Sequence, residues 1–240
     1  MERAALITGG SSGIGLAIAR ALGQDGSGIT LSARRPDKLQ AAAEELRSEG
    51  IDAVEVAANM AEEEEIRRVV AEHRERRGRL DVLVNNAGIG IGAAVADTET
   101  KKLDLQLDVN LRAVYLVARE AIPMLKEAGA EHGKALIVNT ASIAGKSGQG
   151  WLSAYSATKF GVVGLSQAMH KELADDGIQV TALCPAFVAT PMTDWVEGQV
   201  PKEKMIQPQD IAESVRFLLR TSSHCVVPEI QFLRREDREL

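Results

Sequence analysis

Cysteine and aromatic side chains are scarce in this chain: its 240 residues hold two cysteines, and Phe, Trp and Tyr together make up 3%. Cys184 and Cys225 have no C-x-x-C spacing, which argues against a disulfide framework or a thiolate metal site. Each sits in or beside a β-like apolar run, so packing is the role expected of both. Long apolar runs are also missing, and none approaches the roughly 20 residues that a membrane span requires. Basic charge is in deficit, with 28 Lys and Arg against 34 Asp and Glu, a net charge of −6. Nucleic-acid binding needs clustered basic charge, so that class is set aside. His73, His132, His170 and His224 are scattered through polar segments. They read as surface residues, and no metal constellation emerges. Met1-Glu2-Arg3 passes directly into an apolar run, which leaves no room for a signal peptide and points to a cytoplasmic protein.

What the chain does have is alternation. At 45% hydrophobic and 26% charged it has the balance of an ordinary globule, and its length suits one α/β domain over 1–240. Apolar runs near 4–8, 28–32, 52–57, 80–84, 134–139, 178–183 and 225–231 read as strands. Helical patterns fill 14–24, 37–49, 61–77, 99–127, 153–175 and 208–220 between them. Strands separated by helices are joined by right-handed crossovers, so a doubly wound, seven-stranded parallel sheet covered on both faces is expected. Pro36 suits the first position of the second helix, where its missing N–H costs nothing. The run Glu62-Glu63-Glu64-Glu65 reads as the acidic first turn of a solvated helix.

The first strand run is followed by Thr8-Gly9-Gly10-Ser11-Ser12-Gly13-Ile14-Gly15 and then a helical pattern. Strand, glycine turn and helix together aim backbone N–H groups at a phosphate. Two rival motifs fail. Gly9-Gly10-Ser11-Ser12-Gly13 fits a nucleophile elbow, but such an elbow sits late in its sheet. Gly145-Lys146-Ser147 ends like a P-loop, but Thr140 stands where the first glycine is needed. Near the other end, Tyr155 and Lys159 are four apart, on one face of a helix. An ammonium beside a phenol favours phenolate, which makes tyrosine a usable proton donor and acceptor near neutral pH. The glycine turn Thr8–Gly15, with Ala33–Arg35, Ala58–Asn59, Asn85–Gly88, Thr140–Ser142 and Pro185, falls at the carboxyl ends of strands, the rim where such sheets bind ligands.

Taken together, Thr8-Gly9-x-x-x-Gly13-x-Gly15, Asn85-Asn86-Ala87-Gly88, Asn110, Ser142 and Tyr155-x-x-x-Lys159 resemble the short-chain dehydrogenase/reductase family over nearly the whole chain. The resemblance implies that Tyr155 exchanges a proton with the substrate oxygen while hydride moves to or from a nicotinamide. It implies that Lys159 also holds the ribose, that Ser142 bonds the substrate oxygen, and that Asn110 props open a helix around a water. By the same resemblance Gly9, Ser11, Ser12, Gly13, Ile14 and Gly15 cradle the pyrophosphate. Asn59 and Met60 meet the adenine, Asn86, Ala87 and Gly88 flank its ribose, and Pro185, Val188 and Thr190 grip the carboxamide. Three departures stand out: Asn59 for a common aspartate, Ala186 for the glycine after Pro185, and the absence of the usual Gly-Gly ending. The last puts the family's tetramer in doubt, though a homodimer or homotetramer remains the expectation.

NAD-binding versions place an acid about 20 positions past the glycines. Ser32-Ala33-Arg34-Arg35 holds none, and two guanidinium groups suit a 2′-phosphate, which favours NADP(H) over NAD(H). For the substrate, a small carbonyl or alcohol, Trp151, Phe187, Met192 and Trp195 are candidates for an apolar wall, with Gln149 for a polar contact. A mobile lid is expected from about 187 to 208. The alternatives are a catalytically silent NADP(H)-binding sensor and an NAD-dependent 3-hydroxy acid dehydrogenase.

Overall fold

The computed structural model describes residues 3–237. Its seven strands are β1 (Ala4–Thr8), β2 (Gly28–Ala33), β3 (Ala53–Ala57), β4 (Val82–Asn85), β5 (Ala135–Thr140), β6 (Ile178–Pro185) and β7 (Glu229–Phe232). All pair in parallel, in the order β3-β2-β1-β4-β5-β6-β7. The helices are α1 (Gly13–Gln24), α2 (Pro36–Ser48), α3 (Glu63–Arg77), α4 (Thr100–Leu107), α5 (Ala113–His132), α6 (Ser153–Leu173) and α7 (Pro208–Arg220).

Side chains alternate across a strand, and so they divide the core in two. Ala5, Ile7, Ile29 and Leu31 pack with α1, α2 and α7 on one face. Leu6, Leu83, Ile137 and Val180 pack with α3, α5 and α6 on the other. Because both faces are covered, β1, β5 and β6 are buried along their whole length. Helix α7 turns a stripe of Ile211, Ala212, Val215 and Leu218 to the core, the spacing of an amphipathic helix. Pro36 opens α2 at its first turn. The acidic first turn of α3 is met by Arg112 and Arg119, which both donate to Glu63.

Three expectations need correction. The helix read over 99–127 is two helices separated by a π-helical turn, Asp108–Arg112, and the second continues through Pro123 to His132. The last strand begins at Glu229, so Cys225 lies exposed in the loop before it, while Cys184 is buried in β6. His73 is buried, because its ring nitrogens bond Thr30 Oγ1 and the Arg79 carbonyl, each at 2.9 Å. Burial draws its pKa down to about 4, so the ring is neutral in the folded chain. The segment expected to be a lid carries two short 3₁₀ turns, Pro191–Val196 and Lys202–Lys204, and a bridge between Val188 and Ile206.

Candidate active site

With every strand parallel, the carboxyl ends share one rim, and β1 lies where the strand order reverses direction. Along that rim runs a cleft of about 700 Å³. One end is the turn after β1. Gly9 and Gly13 adopt φ of +66° and +56°, a region that side chains disfavour. Thr8 Oγ1 accepts from the backbone N–H groups of Asn86 and Ala87, each at 3.1 Å. Asn86 Nδ2 donates back to the carbonyls of Thr8 and Gly9. The fit is close: a Cβ on Gly15 would lie 2.5 Å from the Gly9 oxygen and 2.6 Å from Asn86 Nδ2. Helix α1 begins here with no acid in its first turn and no side-chain cap from Ser12. Its first amides are therefore available to a ligand in the cleft that Ser11, Ser12, Gly13 and Ile14 line.

In mid-cleft, β5 delivers Ser142 and α6 delivers Tyr155 and Lys159. Lys159 is 4% exposed. Its Nζ donates to the Thr140 carbonyl at 2.7 Å and lies 5.6 Å from the centre of the Tyr155 ring. Burial draws Lys159 down to about 8. Burial also pushes the Tyr155 phenol upward, against a smaller opposing pull from a hydrogen bond with Ser142. In the protein alone desolvation therefore governs the phenol, and the tyrosine stays protonated near neutral pH. Ser142 Oγ accepts from the Ala144 N–H at 3.1 Å, which orients it on its short 3₁₀ turn.

Asn110 sits fully buried within the π-helical turn. Its Oδ1 accepts from the Ile89 N–H and its Nδ2 donates to the Ile89 carbonyl, each at 2.8 Å. A third contact runs from Nδ2 to Thr158 Oγ1. The amide thus ties the chain after β4 to α6 at Thr158, the residue before Lys159.

The far end is apolar. Trp151, Phe187, Met192 and Trp195 line it, with Trp151 and Trp195 5.7 Å apart and Phe187 edge-on to Trp195 at 6.4 Å. Trp151 has φ +66°, an unusual value for a bulky residue, and its ring crosses directly over Gly92. Gln149 reaches the cleft, but its Nε2 is committed to the Ser147 carbonyl. Pro185, Val188 and Thr190 line the stretch between the two ends.

Not every expected residue lines the cleft. Gly15 and Ala87 back it from behind, through contacts with Gly9 and Thr8. Asn59 and Met60 lie past β3, with Asn59 Oδ1 already accepting from the Ala61 N–H. Arg34 and Arg35 are exposed on the rim just after β2. Sequence reasoning missed Leu233 and Asp237, which line the apolar end from beyond β7. Nothing in their local pattern marks them; only the pairing of β7 with β6 carries them there.

Comparisons with known proteins agree with this construction. Residues 3–200 match the family model described as short chain dehydrogenase. A putative ketoacyl reductase of Streptomyces coelicolor is 38% identical, over 94% of this chain and 93% of its own length. The 3-oxoacyl-acyl-carrier-protein reductase FabG of Staphylococcus aureus is 34% identical over 91% of each. Among solved structures, actinorhodin polyketide ketoreductase with NADPH superposes with a TM-score of 0.88 at 34% identity, covering 96% of this chain and 95% of that one. A 3-ketoacyl-(acyl-carrier-protein) reductase from Brucella melitensis with NADH gives a TM-score of 0.87 at 32% identity, covering 95% and 96%. Seven parallel strands in this order, the glycine turn at their switch point and the match over 3–200 make this chain a member of the short-chain dehydrogenase/reductase family.

Proposed function

We propose that the chain is an NADP(H)-dependent oxidoreductase that interconverts a small carbonyl compound and its alcohol, with Tyr155 as the proton donor and acceptor. The observation that carries this reading is the convergence of Ser142, Tyr155 and Lys159 in mid-cleft, between a phosphate-shaped glycine turn and an apolar wall. The uncapped, acid-free start of α1 and the glycines too crowded for a Cβ fit a dinucleotide pyrophosphate. At the adjacent rim, Arg34 and Arg35 present exposed guanidinium groups suited to a 2′-phosphate. The NADPH-bound neighbour supports that preference, and the NADH-bound one makes it a matter for measurement.

When bound, the nicotinamide supplies or accepts the hydride. The Ser142 hydroxyl donates to the substrate oxygen and stabilises its developing charge. The half-buried, protonated Tyr155 releases its proton to the same oxygen in the reductive direction. In the oxidative direction the phenol must first lose that proton to act as base, which near pH 7 needs a shift of about three units, or roughly 4 kcal/mol, from its free value near 10. Lys159, already drawn down to about 8, is the neighbouring group able to hold or pass on a proton. Asn110 keeps the floor of the site rigid from below.

The decisive test is NADPH consumption with a panel of ketones, aldehydes and 3-oxo esters, run in parallel with NADH. Turnover that requires a carbonyl and is faster with NADPH is expected. Tight NADPH binding without turnover on any carbonyl would leave a binding module in place of an enzyme.

A further inference from the structure

The residues after β7 build part of the cleft. Pro185 pairs with Phe232, and the Ala186 N–H donates to the Phe232 carbonyl at 2.9 Å, so the two chains leave the sheet side by side. One continues to Phe187, the other to a tight turn from Arg234 to Asp237. In that turn the Arg234 N–H donates to Asp237 Oδ2 at 2.9 Å, and Arg234 Nε donates to Oδ1 at 3.0 Å. The Asp237 N–H donates to the Arg234 carbonyl at 3.0 Å. Both side chains are largely enclosed, 16% and 17% exposed. The guanidinium lies 5.3 Å from the centre of the Phe187 ring, and Trp195 abuts the same ring edge-on. Phe187 is therefore held from two sides.

We propose that this turn is a specificity device: Arg234, clasped to Asp237 and laid on Phe187, fixes the far wall so that the site selects compact, uncharged, ring-bearing ketones. The inference rests on the carbonyl-reductase reading above and names its substrate class. Three aromatic rings gathered at one end in a chain with 3% aromatics favour a substrate that is itself a ring. A fixed ring rejects bulk that a mobile one would admit. Among the described residues lining the cleft, the charged ones are Lys159 and Asp237. Lys159 is committed to mid-cleft, and Asp237 lines the apolar end with its carboxylate paired to Arg234. A substrate carboxylate would find both charges of that pair already matched, and no free cation there to meet it.

Trp151 and Trp195 are the chain's two tryptophans and both line this end, so their emission reports occupancy directly. Binding of acetophenone, 2-acetonaphthone and phenylglyoxylate is measured by quenching with saturating NADP⁺, so that no turnover occurs. In the parent, phenylglyoxylate, an acetophenone analogue bearing a carboxylate, should bind at least about tenfold more weakly than acetophenone. Arg234→Ala should reduce the preference for acetophenone over 2-acetonaphthone by about fivefold or more, and Arg234→Lys should retain most of it. Phe187→Leu, which keeps Arg234 but removes the ring, should lose the size preference as well. A size ratio unchanged within about twofold in both Arg234→Ala and Phe187→Leu, or equal binding of the anion, would overturn the proposal. Because binding is read without catalysis, this failure is distinct from an absence of turnover, which would count against the enzyme reading instead.

Discussion

At the glycine turn the cleft is walled by backbone, and at its apolar end by side chains. The first wall is lined by Gly9, Ser11, Ser12 and Gly13, with Thr8 and Ala87 behind, and is locked by four hydrogen bonds in which the Thr8 hydroxyl and the Asn86 amide tie two strand ends together. The second is made of Trp151, Phe187, Met192 and Trp195, drawn from two loops and braced by a turn beyond the last strand. A backbone wall constrains the sequence tightly, since few residues can take φ +66° or tolerate a neighbour at 2.5 Å. A side-chain wall can be rebuilt by substitution without disturbing the sheet. One end can thus serve a fixed ligand while the other is free to vary with its substrate.

Tyr155, which belongs to neither wall, provides the largest expected effect. Tyr155→Phe should leave NADPH affinity within about twofold and reduce kcat by roughly 10²–10⁴, the range for losing one general acid–base group. Stopped-flow turnover and cofactor titration on the same preparation would check it, and kcat within about threefold of the parent would remove Tyr155 from its role.

Lys159 comes next. Its pKa is about 8 in the folded chain and 10.5 ordinarily, so between those values the unfolded state binds more protons and stability rises with pH. Below 8 both states are protonated and the full penalty of burying the ammonium is present. In denaturant titrations the parent should gain up to about 3 kcal/mol relative to Lys159→Met between these limits. A difference curve that is flat with pH would mean the ammonium is not desolvated.

Gly15→Ala sets the two walls against each other. Its Cβ would displace either Gly9 or Asn86, and crowding of this kind costs about 2 kcal/mol, or some thirtyfold in NADPH affinity. Trp195→Ala, in the side-chain wall, should change that affinity by less than about twofold. Equal effects would erase the distinction between the walls. The smallest effect is at the rim. Exchanging Arg34 and Arg35 together for Asp and Ser should lower the NADPH-to-NADH ratio of kcat/KM by about tenfold or more, since a charge-assisted phosphate contact is worth roughly 1.5–3 kcal/mol. An unchanged ratio would make them surface charges only.

The same contrast explains what could be read from the sequence. The seven apolar runs, the glycine turn and Pro36 announce themselves because each states a local requirement of the backbone. The inward face of His73 does not, since its partners Thr30 and Arg79 come from β2 and from the loop beyond α3. The break in the helix at Asp108–Arg112 does not show in the apolar pattern, which α4, the π turn and α5 share; only the family resemblance points to a helix opened at Asn110, which bonds Ile89. Leu233 and Asp237 reach the cleft through strand pairing that no local pattern encodes.

The anchoring of Ile89 also bears on how slowly this part of the protein opens to solvent. Residues 86–94 form no helix or strand, and loops of that kind ordinarily exchange their amide hydrogens quickly. Here the N–H of Ile89 donates to Asn110 Oδ1 at 2.8 Å and that of Ile91 to Gln106 Oε1 at 3.0 Å, and both acceptors are buried side chains. Their deuterium uptake should therefore follow the opening of the α4–α5 unit, on the timescale of the sheet and not of a loop.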